Sequence, residues 1–336
     1  MTDIILLTGI SGFMAKHIAL QLLNAGYAVR GTLRSPARAD EVRTALAPHL
    51  TTPAALDRLT FATADLENDA GWPAAMTGIT AVLHTASPFP IKTPDHPDDL
   101  IRPAVQGTTR VLTAVADAGI TRVILTSSTA AVVDETAHGT QDEGNWCNID
   151  APGTSAYSRS KTLAERAAWQ IATTRHLQLT AINPGFVVGP PLDQHFGSSI
   201  GLVKRFLSGK DPMLPDIGFS VVDVRDVALA HLRALQRPET AGLRILAVAG
   251  AMSMPQMGRT LRAAYPDRRI ATKTAPKFLL RILALFDAEA RAALPMVGKT
   301  HTVSNTRAKA SLGMDFISPV DALRAAAAWL TSHPSA

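Results

Sequence analysis

The sequence predicts an α/β fold: a doubly wound parallel sheet with a smaller, mixed C-terminal lobe beside it. Two observations carry that expectation. Short apolar runs of strand length alternate with longer helical patterns through the first two thirds of the 336 residues. The first apolar run also ends in a glycine turn that opens into a helix. Alternation of this kind marks parallel strands joined by helical crossovers, with helices on both faces of the sheet.

Strand-like runs occupy 4–7, 28–33, 59–63, 81–84, 122–126 and 179–183, and helical periodicity or composition occupies 15–25, 39–47, 99–118 and 157–174. After Pro184-Gly185 the regularity decays. A strand at 221–224, a helix at 225–235 and a strand at 243–248 still look associated with the sheet. The segments 189–218 and 253–302 mix helix and loop and are rich in Pro and Gly, and the chain closes in an alanine-rich helix at 319–331. The expected division is residues 1–188 for the sheet domain, with returns to the sheet near 219–249, and 189–336 mainly for the smaller lobe.

Composition excludes several classes of function. The chain is 46% hydrophobic and 18% charged, which is ordinary globular composition. Its net charge of +5 comes from scattered Lys and Arg without interleaved aromatics, so no nucleic-acid partner is expected. Cys147 is the only cysteine, which forbids an internal disulfide and suits a reducing compartment, so a cytoplasmic location is expected. Met1-Thr2-Asp3 carries no positive charge and the apolar run behind it is too short for an export signal. The longest later apolar stretch, 278–286, is interrupted by Arg281 and falls far short of a membrane span; an amphipathic helix against the core or over a cleft is expected there. The 10 histidines lack ligand spacing, and no metal site is expected.

The first strand runs into Thr8-Gly9-Ile10-Ser11-Gly12-Phe13-Met14-Ala15. A strand, a tight glycine turn and a helix N-terminus bring backbone N–H groups and the positive end of a helix dipole to one point, which suits a pyrophosphate. Glycines alone are weak support, since turns use them anyway, but their place after the first strand of an alternating chain points to a dinucleotide. Thr8, Gly9, Ser11, Gly12, Phe13 and Met14 are the candidate contacts. At the end of the second strand, Val29-Arg30-Gly31-Thr32-Leu33-Arg34-Ser35 offers no carboxylate for a ribose hydroxyl, and none follows until Asp40. Arg34, with Arg38 beyond it, fits the 2′-phosphate of NADP(H) instead.

In "SAYSRSKTLAE" (155–165), Tyr157 and Lys161 stand four residues apart at the opening of a helix. Any surface helix can hold such a pair, since residues four apart share a face. The same spacing also allows an ammonium to draw down the phenol pKa and make the tyrosine an acid near neutrality. Upstream, the strand at 122–126 ends in Thr126-Ser127-Ser128-Thr129, so hydroxyls lie at a strand's carboxyl end, where ligands of open α/β sheets bind.

Through TGISGFMA, LTSSTAAV, YSRSK and NPGFVVGP at their usual separations, the chain resembles the extended short-chain dehydrogenase/reductases, whose dinucleotide domain is a Rossmann fold. VLHTASPF (82–89), VILTSSTAAV (123–132), AYSRSKTLAE (156–165), LTAINPGFVVGP (179–190) and DVRDVALAHL (223–232) look like the branch that holds dihydroflavonol 4-reductase, cinnamoyl-CoA reductase and the methylglyoxal (aldehyde) reductases. The similarity spans about residues 4–250. It implies that Ser128, with Ser127 as runner-up, hydrogen-bonds a substrate carbonyl, that Tyr157 gives the proton, and that Lys161 lowers the tyrosine pKa and holds the nicotinamide ribose.

The resemblance further implies that Pro184-Gly185, with Val187, begins the loop under the nicotinamide, that Asp65-Leu66 meets the adenine, and that Thr85-Ala86-Ser87 lines the cofactor path. For Asp65 a helix cap, and for Ser87 a turn former, is the alternative. Phe89, Thr129, Phe186, His195 and Phe196 are candidate borders of a mainly apolar substrate pocket. Ala15 and Lys16 depart from the commonest family pattern, and Lys16 is placed either at a phosphate or in solvent.

The function implied is an NADPH-dependent reductase of aldehydes or ketones, reversible toward alcohol oxidation, acting on a small-molecule carbonyl or alcohol as a monomer or homodimer. A nucleotide-sugar epimerase or dehydratase is the nearest alternative. Dehydratases are expected to place an Asp-Glu pair after the serine or threonine, where this chain has Thr129-Ala130-Ala131-Val132. A regulator that senses NADP without turnover is a third possibility, but it has no need to keep the hydroxyl, phenol and ammonium together.

Overall fold

The computed structural model describes residues 3–87, 96–137, 139–287, 291 and 293–334. The chain runs β1 (Ile4–Thr8), α1 (Phe13–Asn24), β2 (Ala28–Leu33), α2 (Ala39–Leu46), β3 (Leu59–Thr63), α3 (Trp72–Met76), β4 (Ala81–His84), α4 (Asp98–Asp117), β5 (Arg122–Thr126), β6 (Thr140–Gln141), α5 (Ala156–Thr174) and β7 (Gln178–Pro184). It continues through β8 (Phe186–Val188), α6 (Ser198–Ser208), β9 (Gly218–Asp223), α7 (Val224–Gln236), β10 (Arg244–Ala247), β11 (Gly250–Ser253), α8 (Met254–Ala264), α9 (Lys277–Leu283) and β12 (Thr302–Val303), and closes in the helix Pro319–Ser332.

A 7-stranded sheet has the order β10-β7-β5-β4-β1-β2-β3, and every pair in it is parallel. Side chains alternate across it as strand geometry requires. Ile5 and Leu7 enter the core against α1 and α7, whereas Leu6 enters the core against α3, α4 and α5. Both faces are therefore covered at the centre of the sheet, which is why β1 and β4 read as nearly unbroken apolar runs. Strand order reverses between β1 and β4, and that switch point is where such sheets open a crevice at their carboxyl ends. The register brings Thr8 level with His84, His84 with Leu125 and Thr126 with Ile182, so the segments beyond them emerge along one edge.

A second sheet, β11-β9-β8, begins one residue after β7 and anchors the smaller lobe. There α6, α8 and the C-terminal helix pack Val203, Phe206, Leu261, Leu323 and Leu330 against Val188 and Val221. The stretch expected at 278–286 to cover a core or cleft forms α9, but Phe278, Ile282, Leu285 and Phe286 face outward while Leu280 is buried. No described helix is long and apolar enough to cross a membrane.

Three histidines buried in these layers stay neutral. Burial pulls His17 and His231 down to about 4, and burial together with the charge of Lys161 pulls His84 down to about 3. In the unfolded chain each takes up a proton near pH 6.5, so their contribution to stability is present above that pH and is lost as pH falls toward the folded values. Asp226 works the other way, because burial raises it to about 6. Together these four groups predict that unfolding free energy falls by about 2 to 3 kcal/mol for each pH unit of acidification near pH 5. Urea titrations at pH 7 and pH 5 check this, and His231→Gln should flatten the slope.

Candidate active site

Thr8 closes the crevice. Its hydroxyl lies 2.8 Å from His84 Nδ1 and accepts from the amides of Thr85 and Ala86 at 3.1 and 3.0 Å, while Thr85 Oγ1 donates to the Thr8 carbonyl at 2.5 Å. Gly9 then turns with φ +66°, where a side chain is strained, and its amide donates to Thr32 Oγ1 at 3.0 Å. A Cβ on Gly9 would stand 3.0 Å from that of Ala86. Gly12 caps α1 without a side-chain hydrogen bond, and the helix's first turn, which includes Phe13 and Met14, holds no acidic residue. Ser11 is half-buried and Gly12 exposed. The helix thus carries no acidic residue of its own at its N-terminus, and these residues fit a pyrophosphate.

The two arginines differ. Arg34 lies exposed just beyond β2. Arg38 instead grips Glu41 through two hydrogen bonds of 2.9 and 3.0 Å. Asp65 caps its own turn, with Oδ1 accepting from the amide of Glu67 at 3.1 Å, and Leu66 packs against Gly107.

At the opposite lip, α5 presents Tyr157 and Lys161 on one face toward the end of β5. The Tyr157 hydroxyl is hydrogen-bonded to the Ser128 side chain, and Ser128 Oγ also accepts from the amide of Ala130 at 3.1 Å. Ser127 turns away and donates to Glu165 Oε2 at 2.5 Å. A small cavity lined by Ala86, Ser87 and His84 on one side and Lys161 and Ser127 on the other joins the two lips.

The phenol does not move as the spacing suggested. Burial pushes Tyr157 above its ordinary value of 10, and the opposing pull comes from Ser128. Lys161 Nζ lies 5.9 Å from the centre of the tyrosine ring, and burial drives its own pKa down to about 8 against the attraction of Glu165. Desolvation disfavours both charges, so the two pKa values move apart, with the lysine giving up its proton at a lower pH than the phenol.

The remaining expected residues fall into separate places. Pro184 ends β7, and Gly185 is squeezed so tightly that a Cβ would lie 2.0 Å from the Ser220 carbonyl oxygen. Val187 lies in β8, where Phe186 stacks on Phe219 with ring centres 4.6 Å apart. Thr129 opens a single 3-10 turn after Ser128. Phe196 meets Trp329 edge-on in the lobe core. His195 is mostly exposed, with its Nδ1 3.2 Å from Glu41 Oε1, so its partner belongs to the arginine side of the site. Phe89 lies outside the described residues.

Sequence reasoning missed the partners of Lys16, which is buried and ion-paired with Asp193, with Glu41 3.7 Å away. Of the two places expected for it, solvent is excluded by its burial. Beside it, His17 Nε2 lies 3.0 Å from the Pro190 carbonyl, so α1 grips the first residues after the sheet domain with two side chains. Glu165, Asn183 and Arg244 were missed as well. Two of them leave a signal in the sequence: Glu165 continues the 157/161 spacing by one turn, and Arg244 interrupts an apolar run.

A crevice of this kind, with a glycine cradle on one lip and a hydroxyl, phenol and ammonium on the other, defines a dinucleotide-dependent enzyme of the extended short-chain type. The chain belongs to the NAD dependent epimerase/dehydratase family, whose model matches residues 5–249. It is 33% identical to cinnamoyl-CoA reductase 1 of Arabidopsis thaliana over 79% of this chain and 76% of that protein. An anthocyanidin reductase of Vitis vinifera is likewise 33% identical, over 79% and 81%. Among solved structures, yeast methylglyoxal/isovaleraldehyde reductase Gre2 complexed with NADPH superimposes with a TM-score of 0.81 at 28% identity, covering 99% of this chain and 100% of that one.

The Lys16 pair gives a test of how the lobes are joined. Asp193→Ala leaves a buried ammonium, 1% exposed, with Glu41 alone. Because both carboxylates keep some solvent, we expect a loss of about 2 kcal/mol, below the 3 to 5 of a fully buried pair. Urea denaturation reads the loss, and adding Lys16→Met should restore part of it.

Proposed function

We propose that this protein is an NADPH-dependent reductase of aldehydes and ketones, reversible toward alcohol oxidation, with Ser128, Tyr157 and Lys161 as its catalytic residues. The observation that carries this reading is the Ser128–Tyr157 hydrogen bond, set beside a buried ammonium and facing the glycine turn across the crevice. NADPH, when bound, supplies the hydride.

Ser128 donates its hydroxyl proton in a hydrogen bond to the substrate carbonyl oxygen and so polarises the C=O bond. Tyr157, kept protonated by burial, transfers its proton to that oxygen as negative charge develops there. The phenolate left behind lies beside the Lys161 ammonium, which stabilises it until a solvent proton returns. In the alcohol direction the same groups run in reverse. Phe186, Phe219 and Val187 favour an apolar substituent on the substrate.

Arg34 supplies preference for NADPH, because an exposed guanidinium offers a 2′-phosphate charge-assisted hydrogen bonds that a ribose hydroxyl cannot match. The dehydratase alternative lacks its Asp-Glu pair. An epimerase uses the same trio, but cinnamoyl-CoA reductase 1 and the anthocyanidin reductase, each 33% identical to this chain, are named as reductases.

Incubation of purified protein with NADPH and a panel of aldehydes, followed by absorbance of the reduced nicotinamide, tests the reading. Turnover should appear with apolar aldehydes, and Tyr157→Phe should lower kcat by about a hundred- to ten-thousandfold while NADPH still binds. A variant that keeps more than about a tenth of the rate, with chemistry rate-limiting, removes Tyr157 from the acid role. Arg34→Ala should raise KM for NADPH about ten- to a hundredfold and leave KM for NADH and kcat nearly unchanged. Equal kcat/KM for the two cofactors in the unmutated enzyme would contradict the assignment.

A further inference from the structure

Beneath the catalytic trio lies a buried polar knot that the mechanism above does not use. Glu165 stands one helical turn past Lys161 on the same face of α5 and is 1% exposed. Its Oε1 accepts from Arg244 Nε at 2.6 Å and from Trp169 Nε1 at 3.2 Å. Its Oε2 accepts from Ser127 Oγ at 2.5 Å and from Asn183 Nδ2 at 2.7 Å. The same Asn183 nitrogen donates its second hydrogen to the backbone carbonyl of Ser128 at 3.1 Å. An amide has only two hydrogens, so this pairing fixes which way Asn183 faces. Asn183 Oδ1 is buried and meets no hydrogen-bond donor among the described residues.

Arg244 ties the knot to the chain around it. Its guanidinium donates to the carbonyls of Glu143 and Asn145 at 3.0 and 2.6 Å, and lies 3.7 Å over the ring of Trp146. One carboxylate therefore joins the helix that carries Tyr157 and Lys161 to the strand end that carries Ser128, to the β7 residue just before Pro184-Gly185, and to β10.

We infer that Glu165, held by Arg244 and bridged by Asn183, is a positioning residue that fixes Ser128 against Tyr157 and balances the charge of Lys161. The inference rests on the assignment of those three residues to catalysis. Two separate effects follow. The bridge through Asn183 sets the Ser128 backbone, and a small displacement of a catalytic group lowers kcat steeply. The carboxylate also favours the ammonium of Lys161. The charged or titratable groups facing Lys161 are Glu165 and Tyr157 on its own helix and His84 on β4, and His84 stays neutral. Glu165 is the anion among them, so its loss lowers the pH at which Lys161 gives up its proton.

The experiment compares kcat, KM for NADPH and the pH profile of kcat/KM in the unmutated enzyme, Glu165→Gln, Glu165→Asp and Asn183→Ala, with Tyr157→Phe in parallel. In the unmutated enzyme the basic limb should fall near 8, where Lys161 loses its proton. In Glu165→Gln the limb should move about one unit lower, and in Glu165→Asp, which keeps the charge, it should return toward its original place. Asn183→Ala leaves Glu165 ionised, so kcat should fall about tenfold or more with the limb unmoved and KM for NADPH within about threefold.

If Glu165→Gln does not fold, Asn183→Ala still decides. A basic limb unmoved in folded Glu165→Gln, or kcat of Asn183→Ala within about twofold of the unmutated enzyme, overturns the inference. An active Tyr157→Phe overturns the catalytic assignment instead, so the two failures are told apart.

Discussion

A single buried carboxylate, that of Glu165, is the point on which the geometry of the site depends. Burying an ion is costly unless its lone pairs are filled, and here Arg244, Trp169, Ser127 and Asn183 fill them. These partners come from β10, from α5 itself, from the turn after β5 and from β7. The requirement to satisfy one charge thus binds the carboxyl edge of the sheet to the helix lying over it. Ser128 is held on one side of that junction, and Tyr157 and Lys161 on the other. Packing alone tolerates small slips between a helix and a sheet, whereas a fully hydrogen-bonded ion pair does not.

Electrostatics then follow from burial rather than from the proximity of phenol and ammonium. Desolvation raises Tyr157 and lowers Lys161 to about 8, so a neutral phenol and a weakly held proton on lysine stand together in one pocket. A proton donor for a developing alkoxide needs to be neutral beforehand and to have a cation near it afterwards, and this arrangement supplies both. On the far side of the crevice a different charge cluster operates. Glu41 holds Arg38 and contacts His195, while Lys16 joins Asp193 and Glu41. The first helix and the opening of the smaller lobe are thereby clipped together next to Arg38.

Much of this was legible in the sequence for a definite reason. Strands 28–33, 59–63, 81–84 and 122–126 have the expected bounds: the central pair, 81–84 and 122–126, is buried along its whole length and so reads as an unbroken run, while the two toward the sheet edge are marked by strand-length apolar runs that stop at polar turns. The glycine turn and the Tyr157/Lys161 spacing were visible because each is local. The lobe was not: β8 is three residues long and starts directly after Gly185, and β11 reaches β9 by a return of the chain. Partners far apart in sequence leave no local trace, as with Lys16 and Asp193, 177 residues apart, or Arg244 and Glu165, 79 apart. His195, expected at the substrate, lies on Glu41 because the 190–195 segment folds back over α1. The Tyr157 shift was misjudged because spacing reports proximity and not burial.

The most direct measurement of the central claim is the fate of the hydride. An apolar aldehyde that the enzyme turns over is reduced with NADPH deuterated at the transferable position of C4, and the alcohol is examined by mass spectrometry and NMR. The account predicts one deuterium at the carbinol carbon for each NADPH oxidised, and none at that carbon when unlabelled NADPH is used in deuterated water. Deuterium entering that carbon from solvent, or NADPH bound without any labelled alcohol forming, would contradict it.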